Sequence, residues 1–179
     1  DSTVIASEAS GLDFVCNTDH SYDLDIKEGS WFEDDLKLEK WYNSRANIKK
    51  INSEHDSKIL PSEEVSIHNH RKRNIHALVL NNHTFLEGKG DGARTYFNRK
   101  CKYNTKSLYQ NKESGSIVIA AHPFVKVSLM EWIFIKRGKW EWNDIIHDGL
   151  SGLQILNGPY DKSFFDGLEI WKKLLLNGY

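Results

Sequence analysis

Short apolar runs alternate with helically spaced apolar positions along the chain, and three of the runs carry side chains able to bind metal. Leu12-Asp13-Phe14-Val15-Cys16-Asn17 leads into Thr18-Asp19-His20, Ser116-Ile117-Val118-Ile119-Ala120-Ala121 leads into His122-Pro123, and Ile75-His76-Ala77-Leu78-Val79-Leu80 holds a histidine inside. Residues Ser2 to Ala9 place Val4, Ile5 and Ala9 near one face, which predicts a short helix. Gly11 ends it, since glycine enters the left-handed conformation cheaply. The first strand follows and ends near Thr18, and 21–32 read as an irregular acidic excursion. From Phe32 to about Ile51, the positions Leu38, Trp41, Tyr42, Ala46 and Ile48 recur at helical spacing.

Further on, 58–61 and 65–67 predict short strands around a turn, 68–74 a polar basic loop, and 75–80 a strand. A glycine-rich loop at 88–92 leads into mixed polar sequence up to about Glu113. A strand is expected at 116–121, a helix at 127–135, and a strand at 153–157 stopped by Gly158-Pro159. An amphipathic helix at 164–176 closes the chain. On this reading Trp41, Leu78, Val118, Ile155 and Trp171 belong to the core. The alternation of helix and strand, with a hairpin-like pair in the middle, points to a largely parallel α/β sheet or barrel.

The chain has 179 residues, 39% of them hydrophobic, which fits one domain with a core of its own. A net charge of -1, with the signs mixed, gives no long-range pull towards nucleic acid or an anionic membrane. No apolar run approaches the ~20 residues that span a bilayer. No signal peptide is visible, and Asp1 in place of Met reads as the start of a cleaved or partial chain. Cys16 and Cys101 do not make a disulfide framework. They favour no compartment, so a cytoplasmic location is only a default.

A strand that delivers histidine or carboxylate at its carboxyl end is how parallel α/β proteins build sites. Taken singly, each residue also has an ordinary explanation. Asp19 and His20 fit a solvated turn, Glu63-Glu64 fits a hairpin edge, and His76 fits a hydrogen-bonded core position. His122 is sharper, because small residues precede it and Pro123 cannot continue a central strand. Together, imidazoles and a carboxylate suit zinc, manganese or iron. Asn157 ends its run and is a weak candidate to face substrate. The basic loop 68–73 lacks interleaved aromatics for nucleic acid, and 88–92 lacks the spacing of a phosphate-binding loop.

In this order, Thr18-Asp19-His20, Glu64 followed by His76, and Ala121-His122-Pro123 resemble the motifs of PHP (polymerase and histidinol phosphatase) domains. The CehA/McbA-type metal-dependent hydrolases are the most similar branch. Gly11-Leu12-Asp13, Gly88 to Asp91, Arg137-Gly138-Lys139-Trp140, Gly152 to Gly158 and the closing segment from Trp171 to Gly178 extend the resemblance over nearly the whole chain. It implies a distorted (β/α)7 barrel, a centre of two or three divalent ions, and hydrolysis of a small ester, first a phosphoester, by metal-activated water. It also implies that His20, Glu64, His76 and His122 are metal ligands, with Glu64 bridging, and that Asp19 is a less certain one. The family's opening His-x-His and closing Asp-x-His motifs do not occur in their places here; His68-Asn69-His70 has the first spacing but lies in a basic loop in mid-chain. The chain therefore reads as the central part of such a domain, a barrel incomplete at both ends. It is expected to bind about one ion weakly and to show little hydrolysis on its own. The alternative is a non-catalytic binding or scaffold protein that retains at most one metal. No nucleic-acid or membrane partner is expected.

Overall fold

The computed structural model describes residues 2–30, 33–91, 100–146 and 150–179. Five strands form one sheet: β1 (Phe14–His20), β2 (Lys58–His68), β3 (Asn74–Leu80), β4 (Ile117–Ala120) and β5 (Gly152–Leu153), in the spatial order β1-β2-β3-β4-β5. β1 runs parallel to β2, and β4 parallel to β5. The two central pairings, β2 with β3 and β3 with β4, are antiparallel. This overturns the expected (β/α)7 barrel: the sheet is mixed and open. The physical reason begins at residues 69–73, which join β2 to β3. A parallel crossover needs a dozen or more residues, so this link closes an antiparallel hairpin. Asn69 turns it, since its N–H donates to the Arg73 carbonyl (2.8 Å) and its side-chain oxygen accepts from the Arg71 and Arg73 N–H groups, each at 3.0 Å. At the edges, among the described residues, β1 pairs only with β2 and β5 only with β4, and β5 spans two residues.

Seven helices surround the sheet among the described residues: α1 (Ser2–Ala9), α2 (Ser21–Leu24), α3 (Glu39–Glu54), α4 (Thr105–Asn111), α5 (Leu129–Phe134), α6 (Trp142–Ile145) and α7 (Lys162–Leu176). Successive residues of a strand face opposite ways. The register Val65↔Ala77, Ala77↔Ala120 and Val79↔Val118 therefore lays one apolar face across three strands. Ile67 and Ile75 extend this face, and Leu86, Tyr103, Leu108 and Trp140 close over it. A second cluster of Val4, Ile48 and Ile59, backed by Val15 and Ile51, seats α1 and α3 against β1 and β2. None of the helices is long and apolar enough to cross a membrane, among the described residues.

One charged group lies in this packing. Glu63 is fully buried and accepts four hydrogen bonds: Ser21 Oγ at 2.8 Å, Trp41 Nε1 at 2.7 Å, Arg45 Nη2 at 2.8 Å and the Leu86 N–H at 3.3 Å. It ties α2, α3 and the segment after β3 to the middle of β2. A buried carboxylate is tolerable only with such partners.

Local chemistry explains where the elements depart from expectation. α3 begins at Glu39, not near Phe32, which itself lies outside the described residues. The Asp35 carboxylate accepts from the Lys37 N–H (2.9 Å) and the Glu39 N–H (2.6 Å) and so sets the start. No turn forms at Pro61; 58–68 is one continuous strand opposite β1. The run at 153–157 shrinks to β5. α4 was read as plain polar sequence, yet Asn104 and Ser107 form a reciprocal capping box there. Of the expected core, Trp41 and Val118 are buried, whereas Leu78 and Ile155 are half-buried. Trp171 is 40% exposed, because α7 buries only Gly167 and Leu174.

Glu63→Ala leaves the Arg45 guanidinium and the Trp41 N–H without their buried acceptor. Breaking a buried pair in this way costs about 3–5 kcal/mol. A urea unfolding curve should show the midpoint falling accordingly, with the secondary structure of the surviving native state unchanged.

Candidate metal centre

The face of the sheet opposite the apolar one carries the chemistry. Parallel pairing sets His20 beside Glu64, and antiparallel pairing sets Ser66 beside His76. Because Glu64 and Ser66 are two residues apart, His20, Glu64 and His76 emerge on the same face from three adjacent strands. His122 arrives from just beyond β4. The Ala121 N–H donates to the His76 carbonyl (3.1 Å), which holds the chain alongside β3 after the strand ends. His122 itself has φ of 33°, in the left-handed region, and its N–H donates to Gln154 Oε1 at 2.8 Å. Such a conformation in a non-glycine residue is strained and persists only where the surroundings enforce it.

Glu64 Oε1 is the hub. It lies 2.5 Å from His76 Nδ1, 3.2 Å from His122 Nε2 and 3.8 Å from His20 Nδ1. The ligand atoms of His20, Glu64 and His76 all lie within 4.8 Å of one another. The rings of His20 and His122 meet His76 edge-on, with centroids 5.2 and 5.3 Å away. His20 Nδ1 is buried and has no hydrogen-bond partner. A buried polar atom without a partner is costly. Nitrogen and carboxylate donors in this number suit zinc, manganese or iron. Tetrahedral zinc spaces its ligand atoms about 3.3 Å apart, close to the His122 separation from Glu64 and below that of His20, while the 2.5 Å between His76 and Glu64 is a hydrogen bond that an ion would have to replace. The residues present thus fit one divalent ion.

The electrostatics are consistent with that use. Burial works against the charge of Glu64, but hydrogen bonds from His122 and His76 outweigh it and hold the carboxyl well below its ordinary range. Burial works against a charged His76, but the carboxylates of Asp91 and Glu64 outweigh it and raise the imidazole above its ordinary value. Tyr22, stacked on His20 with centroids 4.9 Å apart, is pushed up to about 12 by burial and by the negative charge of Asp91.

The four residues His20, Glu64, His76 and His122 line a cavity of about 400 Å³. Lys126, Arg137 and Lys139 also line it, as does Asn157, the weak substrate-facing candidate. Asp19 does not join them. It pairs in register with Glu63, on the other face from His20, and its exposed carboxylate accepts from Asn17 Nδ2 at 2.8 Å. His68 and His70 are elsewhere: His70 lies 3.1 Å from Asp144 and 3.5 Å from Glu141, and His68 Nδ1 lies 3.2 Å from the Asn69 carbonyl. Two residues at the site lie in stretches of the family resemblance, 88–91 and 137–140, but were given no role at the site from sequence. Asp91 was placed in a flexible glycine-rich loop (whose Gly92 lies outside the described residues), yet its Oδ2 is 2.5 Å from His76 Nε2. Arg137 Nη2 is 3.1 Å from that same oxygen. The available signal was an aspartate between glycines and an arginine before Gly138.

No protein-family model matches the chain, and no curated protein matches it.

The shifts of Glu64 and His76 fix a pH profile for the metal-free chain. Glu64, lowered from 4.5, stabilises the fold above that value and loses its contribution as pH falls through its lowered value. His76, raised from 6.5, stabilises the fold below that value and loses its contribution as pH rises through its raised value. The melting temperature without metal should therefore peak between 4.5 and 6.5 and decline on both sides. Scanning calorimetry across pH in chelator tests this. Glu64→Gln with His76→Gln should flatten both limbs.

Proposed function

We propose that this chain carries the metal centre of a PHP-type metal-dependent hydrolase acting on a small anionic ester, with a phosphoester as first choice. The observation that carries the reading is the convergence of three imidazoles on one carboxylate oxygen inside a cavity lined by Lys126, Arg137 and Lys139. His20, Glu64, His76 and His122 would hold a divalent ion. Such an ion, when bound, polarises a scissile bond and brings the pKa of coordinated water down to about 7.

The chain's own residues supply binding, orientation and charge. Glu64 brings the negative charge that draws a cation in, and its two neighbouring imidazoles fix its orientation. Lys126 and Lys139 bring positive charge to the cavity wall, suited to the non-bridging oxygens of a phosphoester. Arg137 lies between the cavity and Asp91, with part of its charge spent on that ion pair. Asn157 offers a neutral donor and acceptor at the same cavity. Because an imidazole must give up a proton to serve as a ligand, uptake of an ion by these residues would strengthen as pH rises.

Elemental analysis of the purified chain, with p-nitrophenyl phosphate and p-nitrophenyl acetate turnover in added zinc or manganese, tests the reading. The expected result is about one divalent ion per chain, and phosphate ester cleaved in preference to acetate. Glu64→Gln should abolish both uptake and turnover. Lys126→Ala should raise KM for the phosphoester several-fold while leaving metal content unchanged. Metal uptake with no turnover of either ester would favour the non-catalytic binding protein. Absence of uptake would remove the reading altogether.

A further inference from the structure

His76 is 3% exposed, and its two ring nitrogens meet different carboxylates: Nδ1 lies 2.5 Å from Glu64 Oε1 and Nε2 lies 2.5 Å from Asp91 Oδ2. The two sides are not equivalent. Beside Nε2, positive charge is already present, because Arg137 Nη2 lies 3.2 and 3.1 Å from the two Asp91 oxygens. A divalent ion there would stand against a guanidinium. Beside Nδ1, Glu64 gathers His20 and His122. An ionised carboxylate only accepts hydrogen bonds, so an Asp91 oxygen 2.5 Å from Nε2 requires a proton on that nitrogen. Arg137 Nη1 does not compete for it. It is 2.7 Å from Nε2 and 3.3 Å from Nδ1. The lone pairs of the two nitrogens diverge, so a group close to both lies over the ring and not on the Nε2 axis.

Asp91 is held in place by its own surroundings. It is 2% exposed. Gly90 precedes it with φ of 105°, and a Cβ there would come within 2.5 Å of the Cys101 nitrogen. The Gly90 carbonyl accepts from Asn74 Nδ2 at 3.1 Å, while Asn74 Oδ1 accepts from Arg137 Nη1 at 3.3 Å. Buried Asn74 and Asp91, with half-buried Arg137, thus form a frame behind the imidazole.

We propose that Asp91 is a positioning residue of the candidate metal centre: it holds the His76 proton on Nε2 and so presents Nδ1, beside Glu64, as the ligand atom. Arg137 and Asn74 hold Asp91 for that purpose. The proposal rests on the metal-binding reading above. A carboxylate behind a ligating histidine fixes the tautomer and strengthens the ligand, and its loss typically weakens metal binding about 10- to 100-fold.

Nitrogen-15 correlation spectra of the imidazoles, recorded on the wild-type chain before and after adding zinc, read the tautomer directly. The expected result is an Nε2 proton on His76 in both states, with zinc displacing only the Nδ1 proton. An unprotonated Nε2 in the metal-free chain overturns the proposal, and so does loss of the Nε2 proton on adding zinc. Calorimetric zinc titration of Asp91→Asn is expected to show affinity lower by about 10- to 100-fold, with the His76 tautomer altered and the circular dichroism preserved. Unchanged affinity in the folded variant overturns the proposal. Should Asp91→Asn fail to fold, the wild-type spectra decide. A wild-type chain that takes up no zinc defeats the metal-binding reading itself, while the metal-free spectrum still reads what Asp91 does to His76.

Discussion

Two adjacent glutamates on β2 face opposite ways, and most of the molecule is arranged around that pair. Strand alternation leaves no choice: if Glu63 points among the helices, Glu64 points to the other face of the sheet. Each is surrounded by donors drawn from distant parts of the chain. Glu63 is satisfied by a hydroxyl, an indole, a guanidinium and a backbone N–H, which lock α2 and α3 to the sheet. Glu64 is surrounded by imidazoles, which leave one nitrogen of His20 without a hydrogen-bond partner. The first carboxylate serves the fold because its hydrogen bonds are complete. The second is suited to a site because those around it are not.

Much of this was legible in the chain. The strand runs that carry His20, His76 and His122 exist where the apolar pattern placed them, and β2 holds Glu64 between them in space. Local rules found these elements because burial of one sheet face demands period-two patterning. The same rules misplaced the barrel. Alternating helix and strand suggested parallel pairing, but 69–73 is too short for a crossover and forces β2 and β3 to run antiparallel. Asp91 and Arg137, though inside stretches of the family resemblance, were given no role for a different reason. Their contact with each other and with His76 joins segments 46 and 15 residues apart in the chain, and no periodicity records such a meeting. Asp19, beside His20 in β1, lies on the other face of the sheet, as strand alternation requires.

The charges around His76 form a ladder of alternating sign. Arg137, Asp91, the imidazole and Glu64 follow one another at hydrogen-bond distance. In a poorly solvated setting such alternation keeps each buried charge compensated by its neighbours. It also means that replacing the positive charge on the imidazole by that of a bound cation disturbs the balance little. The cationic lining of the cavity by Lys126 and Lys139 lies outside this ladder, which leaves it available for a ligand from solvent.

The backbone of His122 gives β5 a reason to exist. A two-residue strand contributes little to a sheet, yet β5 precedes Gln154, whose side chain accepts the His122 N–H. Proline at 123 disfavours helical backbone geometry in the residue before it, and a left-handed histidine there holds of order 1–3 kcal/mol of strain. That tension is sustained from the side, by the Gln154 amide just past β5 on His122 itself and by the His76 carbonyl of β3 on the preceding Ala121 N–H. The imidazole is aimed by a spring clamped at both ends. The edge of the sheet, which looks vestigial by its length, is one of the two clamps.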